Sequence, residues 1–223
     1  MTAQLPLPLP HEPSFAREDF LAAPENTAAL ALIDAWPRWS SPLMLLLGPP
    51  GSGKSHLGAI FVGATAAKAV AGRDLGAVNA DATTEGPALL IDDADAVGAA
   101  EAPLFHLLNF ARQRGTSVLM TARAPPDFWG VATPDLLSRL RLAPIVEIGP
   151  PEVSLVEAVL TKLFSDRQLA VEPALVAYIA RRLDRSLDAA RAVVGALDRE
   201  ALARGKKVTR AMAAEVLERL TED

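Results

Sequence analysis

Gly48-Pro49-Pro50-Gly51-Ser52-Gly53-Lys54-Ser55 is the segment that most constrains this chain. It is a complete G-x-x-x-x-G-K-[ST] phosphate-binding loop. The apolar run Leu43 to Leu47 precedes it and a helical stretch opens at Lys54. This strand–loop–helix setting separates a working loop from a glycine-rich turn with a chance Lys-Ser. Glycines let backbone N–H groups close around a phosphate chain, and the helix N-terminus adds partial positive charge. Lys54 can reach the outer phosphates, and the Ser55 hydroxyl can ligate Mg²⁺. A loop of this kind predicts a parallel α/β sheet and a nucleoside triphosphate or diphosphate as ligand.

The rest of the chain fits that prediction. Ala88-Leu89-Leu90-Ile91 is a second fully apolar run, closed by Asp92-Asp93; Thr116–Thr121 and Ile145–Ile148 read as the fourth and fifth strands. Continuous apolar strands alternating with helical stretches read as a parallel sheet covered on both faces. The helix from Lys54 is expected to reach about Ala71, with a weaker strand at Leu75–Val78. A further helix covers about Pro103 to Arg114, with Gly115 as its C-terminal cap. After Gly149-Pro150-Pro151 the pattern is helical only, over about 152–169, 174–184, 186–204 and 209–221. Pro173 suits a first helical turn, Ser186 an N-cap and Gly205 a C-cap. The expected organisation is an extended tail (1–13), a nucleotide-binding α/β domain (14–150) and a small α-helical lid (151–223).

Composition narrows the function classes. The net charge of −5 argues against strong direct DNA binding through a basic surface. The absence of cysteine removes disulfides, thiolate catalysis and zinc–thiolate sites, and fits a reducing cytoplasm. No apolar run approaches the roughly 20 residues that cross a bilayer, and the N-terminus lacks a basic region and cleavage site.

Asp92 and Asp93 stand at the C-terminal end of an apolar strand, where ligands bind in parallel sheets. Asp92 is expected to hold Mg²⁺ with Ser55, and Asp93 to orient or deprotonate the attacking water.

Together the loop and this acidic strand end resemble the AAA+ class, and more narrowly the bacterial replication initiator DnaA and its relative Hda. Gly53-Lys54-Ser55-His56-Leu57 resembles the family's G-K-[ST]-H-L, which extends the nucleotide-binding set to His56. Phe20-Leu21 through Pro24-Glu25-Asn26 resembles its F-v-x-G-x-x-N segment beside the adenine. Leu136-Leu137-Ser138-Arg139-Leu140 resembles its L-x-S-R-[FL] box, which implies that Arg139 is an arginine finger acting on a neighbouring subunit's nucleotide. Arg141 is the nearest alternative. The resemblance covers about residues 14 to 220.

Three departures qualify it. The family's S-D-R after the fourth strand is here Thr121-Ala122-Arg123, so Thr121 would have to substitute for the missing sensor acid. At the second sensor the alignment meets Asp188, with Arg191 one turn further along and Arg185 as the other candidate. Both changes imply weak intrinsic hydrolysis. Only Asn79 to Pro87 stands where DnaA has a helical insertion that contacts single-stranded DNA, and the sequence stops at Asp223 after the lid.

The N-terminal Gln4-Leu5-Pro6-Leu7-Pro8-Leu9 resembles the Q-L-x-L-x-L peptide that docks on the bacterial sliding clamp. Gln4 would bond at the pocket rim, while Leu5, Leu7 and Leu9 fall on one side of an extended segment. The resemblance therefore implies an ADP- or ATP-binding regulator that sits on the DNA polymerase III sliding clamp and stimulates ATP hydrolysis by DnaA. The competing reading is a helicase loader or adaptor that remodels replication complexes with its own ATPase cycle. The resting nucleotide and the oligomeric state, a homo-oligomer included, stay open.

Overall fold

A computed structural model describes residues 15–222. Residues Phe15–Pro150 form one compact unit, and the helical segment from Pro151 belongs to a second.

The first unit is built on a five-stranded parallel sheet in the order β2-β3-β4-β1-β5. The strands are β1 (Leu43–Leu47), β2 (Lys68–Ala71), β3 (Ala88–Asp92), β4 (Ser117–Ala122) and β5 (Ile145–Glu147). Between them run α2 (Lys54–Thr65), α3 (Ala80–Thr83), α4 (Glu101–Arg114) and α5 (Pro134–Arg141); α1 (Thr27–Ala35) precedes β1.

The apolar strands sort their side chains with period two. Leu45, Leu47, Leu89, Ile91, Val118 and Met120 join Leu104, Leu107 and Leu108 of α4 and Leu136 and Leu140 of α5. Met44, Leu46, Leu90 and Leu119 turn the other way, onto Ala29 and Ile33 of α1 and Leu57, Ile60 and Phe61 of α2. Both faces of the central strands β1, β3 and β4 are thereby buried, and for that reason these strands are largely apolar rather than alternating. Trp39 stacks on Phe61 with centroids 5.2 Å apart and donates from Nε1 to the Leu32 carbonyl, so it is a packing residue of α1.

Two expectations fail beside the loop. The helix from Lys54 stops at Thr65, where Ala66 adopts a left-handed conformation (φ 53°). The second strand is then Lys68–Ala71, and Leu75–Val78 falls largely in a 3₁₀ turn over Gly72–Ala77. Alanine-rich Ala66–Ala71 has high helix propensity, but its pairing with β3, Lys68 beside Leu89 through Ala71 beside Asp92, overrides it. Leu75, fully buried, packs from the turn instead. Between β2 and β3 lies the single turn α3, capped by the Asn79 side chain accepting from Ala82 N.

The second unit contains α6 (Val153–Asp166), α7 (Pro173–Ala180), α8 (Leu187–Arg204) and α9 (Arg210–Glu222). The expected punctuation is in place: Pro173 opens α7, the Ser186 hydroxyl accepts from Ala189 N, and Gly205 closes α8 at φ 58°. Leu160 and Phe164 of α6, Ile179 of α7, Val193 and Leu197 of α8 and Val216 of α9 are buried. Among the described residues, no helix is long and apolar enough to cross a membrane.

Candidate functional site

The loop connects β1 to α2 at the C-terminal end of the sheet. Gly51 (φ 68°) and Gly53 (φ 98°) take left-handed conformations that a side chain would strain, and Gly53 is the N-cap of α2. Gly48 is needed for a different reason. A Cβ there would stand 2.8 Å from the Ile148 carbonyl oxygen and the Ser52 hydroxyl.

Lys54 is buried, and its Nζ donates to the carbonyls of Gly48 (2.8 Å) and Pro49 (2.9 Å). Burial pulls the pKa of this ammonium below its ordinary value; the charges of Asp93, Asp95 and Asp92 oppose that shift, and Arg123 reinforces it. The Ser52 hydroxyl is buried without a protein partner. An orphaned hydroxyl, two left-handed glycines and a desolvated ammonium on one loop fit an anionic group such as a phosphate chain. Ser55, one residue on, is exposed.

Sheet register assembles the acidic side. β4 lies between β1 and β3 and sets Thr121 beside Leu46 and Met120 beside Ile91. Thr121, fully buried, donates from Oγ1 to Asp92 Oδ1 (2.5 Å) and accepts from Asp93 N (2.9 Å). Asp93 sits in the left-handed region (φ 51°, ψ 51°), an arrangement an aspartate tolerates better than most residues. Its carbonyl presses on Gly72: a Cβ there would come within 2.1 Å of it. Asp95 accepts from Arg123 N through Oδ2. The two acids expected to act on Mg²⁺ and water are thus tied together by Thr121, whose hydroxyl is engaged on both sides. Among the described residues, no three His, Cys, Asp or Glu side chains converge as a metal cage. Mg²⁺ held by Ser55, Asp92 and phosphate oxygens needs none, because this ion keeps several waters and few protein ligands.

Thr121→Val preserves shape and removes the hydroxyl. It leaves Asp93 N without a partner, so the expected cost is about 1–3 kcal/mol, against about 0.5 kcal/mol or less for a surface change. Chemical denaturation of the variant beside the parent protein measures it.

The other expected site residues make contacts of their own. His56 packs against the lead-in segment: its Nε2 is 3.1 Å from the Ala16 carbonyl, and its ring meets Phe15 and Phe20 edge to face. The Asn26 side chain closes the same segment, accepting from Ala23 N and donating to the Leu21 carbonyl. Arg139 is on α5, on the α4 side of the sheet. Its Nη1 donates to Asn109 Oδ1 (2.7 Å) and its guanidinium lies 5.0 Å from the Phe105 ring centroid. It lines an apolar hollow with Pro42, Leu43 and Thr116, at the N-terminal ends of β1 and β4. The loop occupies the opposite ends of those strands. Arg141 is paired with Asp127. Arg191 belongs to the helical unit, where it bonds Asp188 at 2.9 Å. Gln4, Leu5, Leu7 and Leu9 lie outside the described residues.

No local signal in the sequence marks Gly72, Asn109 or Phe105. Gly72 follows β2, whose place depends on pairing with β3, and nothing local marks Asn109 or Phe105 as partners of an arginine on another helix.

No protein-family model matches the chain. Among curated proteins it is similar to the chromosomal replication initiator DnaA of Cutibacterium acnes, 24% identical over 213 residues, and to that of Enterococcus faecalis, 29% identical over 138 residues. These alignments cover 84% and 59% of this chain but only 42% and 30% of the initiators, so the chain spans less than half the length of these relatives. Among solved structures, domain III of Thermotoga maritima DnaA superposes with a TM-score of 0.79 at 20% identity, over 94% of this chain and 98% of that one. AMPPCP-bound DnaA from Aquifex aeolicus superposes with a TM-score of 0.68 at 15% identity, over 87% and 70%. The fold is therefore the DnaA-like AAA+ fold, an α/β architecture with a five-stranded parallel sheet.

Proposed function

We propose that this chain is an adenine-nucleotide-binding regulator of replication initiation, which docks on the DNA polymerase III sliding clamp and stimulates ATP hydrolysis by DnaA. The observation that carries this reading is the setting of Arg139. It stands on the α4 side of the sheet, bonded to Asn109 and stacked on Phe105, next to the N-terminal ends of β1 and β4. A guanidinium held there is remote from its own loop and suited to another subunit's nucleotide. In that setting it neutralises charge that develops on a transferring phosphoryl group. The likeness to DnaA in sequence and fold supports DnaA as the partner.

In the chain's own site, Gly48 to Ser55 would cradle the phosphates, Lys54 would supply the cation, and Ser55 with Asp92 would hold Mg²⁺. The bound Mg²⁺–nucleotide brings the scissile phosphoanhydride; Asp93 is the residue for the attacking water. Thr121 already spends its hydroxyl on Asp92 and Asp93. That favours a slow resident nucleotide over a remodelling ATPase cycle. Arg191 is the proposed second sensor from the helical unit.

Residues 4–9 carry the recruitment step. Each leucine buried in a clamp pocket contributes about 1.5–3 kcal/mol. Leu7→Ala/Leu9→Ala is therefore expected to weaken clamp binding by about a hundredfold or more. The double variant should keep its melting temperature and ADP affinity but no longer stimulate DnaA on clamp-loaded DNA. Surface plasmon resonance on immobilised clamp tests this. Full-strength binding by the double variant, or by a chain starting at Phe15, would leave only a DnaA-like nucleotide-binding adaptor.

A further inference from the structure

The helical unit pairs half of its described cations internally. Lys162, Arg167, Arg185, Arg191, Arg204 and Arg219 each meet a carboxylate within 4 Å. Among the described residues, Arg181, Arg182, Arg199, Lys206, Lys207 and Arg210 meet none. All six are exposed, in a chain whose net charge is −5.

Three of these cations are gathered in one place. The Arg182 and Arg210 guanidinium carbons lie 3.9 Å and 4.4 Å from the centroid of the same Tyr178 ring. Arg182 also donates from Nη1 to the Tyr178 carbonyl. Lys207, Thr209 and Arg210 line a groove floored by Leu175 and Val208, with Glu172 as the single acid on its rim. Lys206 adjoins it on the same loop. Stacking removes part of the rotamer freedom of two long side chains, so their forks are pre-organised for a bidentate acceptor. Covering both with one ring keeps apart from carboxylates two charges that ion pairs would otherwise have quenched.

We propose that this α7/α8–α9 edge, centred on Tyr178, Arg182, Lys207 and Arg210, binds the sugar–phosphate backbone of DNA weakly and without sequence preference. Arginines, a lysine and a hydroxyl are the groups that contact phosphates, and none of them is aimed to read a base edge. The choice of DNA as the polyanion rests on the proposed function, which seats the chain on a clamp encircling DNA. A local patch of this size is compatible with the acidic whole, because charges beyond about a Debye length are screened.

The test uses the full chain with a fluorescein-labelled random-sequence duplex and no clamp, followed by anisotropy over a salt series. Binding is expected at low ionic strength, with log K falling against log salt at a slope of about −3 for three neutralised phosphates. Arg182→Ala/Arg210→Ala should lower affinity about tenfold or more and reduce the slope by about two. Tyr178→Ala, which keeps every charge but frees the guanidiniums, should lose affinity while retaining the slope. Arg199→Ala, a cation outside the cluster, should change neither. Melting temperature and ADP affinity report folding for all three variants. Salt-insensitive binding, no binding, or equal binding by the double variant overturns the proposal. So does a poly-glutamate peptide that binds tightly where the duplex does not, since the groove would then serve an acidic protein. Because no clamp is present, loss of clamp docking cannot imitate any of these results.

Discussion

On the proposed function, Arg139→Ala is expected to remove nearly all of the stimulated DnaA ATP hydrolysis in a reconstituted reaction with clamp and DNA. Arginine fingers supplied in trans are worth roughly 10³–10⁵ in rate, so the residual stimulation should fall to the background of DnaA alone. Folding should register a smaller change. The side chain is half-buried, with one hydrogen bond to Asn109 and one ring contact with Phe105. A hydrogen bond from a charged donor contributes about 1.5–3 kcal/mol and an exposed cation–π contact about 0.5–1 kcal/mol, less than the loss expected in rate. The large effect is thus confined to the reaction and the small one to stability, and that contrast identifies a finger. Arg139→Lys should rescue little, because an ammonium lacks the planar fork. Asn109→Ala should give an intermediate loss by leaving the guanidinium unrestrained. Undiminished stimulation by Arg139→Ala would end the finger assignment. Arg141 would be a poor replacement, being already paired with Asp127.

Lys54→Ala should abolish measurable ADP binding in titration calorimetry with Mg²⁺ present. A hydrogen bond from a charged donor to a phosphate is worth about 1.5–3 kcal/mol, and this cation can make more than one. Affinity is therefore expected to drop by about a hundredfold or more. The nucleotide-free protein should respond far less. Two effects oppose each other there: the carbonyls of Gly48 and Pro49 lose their donor, yet a desolvated ammonium is no longer held in the loop. The lowered pKa of Lys54 reflects the cost of that desolvation. A variant with an unchanged melting curve and an unchanged ADP affinity would remove the loop from the site.

Several features were legible in the sequence because their signals are local. The loop pattern needs only eight residues and its flanks. β1, β3 and β4 are short, largely apolar runs buried on both faces by helices, while β5 is a partly exposed edge strand marked by Ile145 and Val146. Gly115, Ser186 and Gly205 cap the helices they were expected to cap, since a cap depends on backbone conformation and one nearby side chain. The Walker-type acids at the end of β3 follow from strand polarity alone.

The remainder depends on contacts between elements distant in the chain. β2 lies over Lys68–Ala71 because β3 offers it a parallel ladder, an energy that alanine-rich helix propensity cannot anticipate. Thr121 reads as a sensor substitute in sequence, but sheet register sets it between Leu46 and Asp92 and commits its hydroxyl to both acids. Gly72 matters only because Asp93 folds back onto it, and Arg139 is oriented by residues of another helix. The Arg182–Tyr178–Arg210 stack joins α7 to the start of α9. Sequence by itself determined which residue types stand on which kinds of element, because residue type and local periodicity encode those. Which groups are tied down and which are left to meet a partner was decided by tertiary structure. Hydrogen bonds and stacking between elements are set by strand register and helix packing, which no local window of the chain contains.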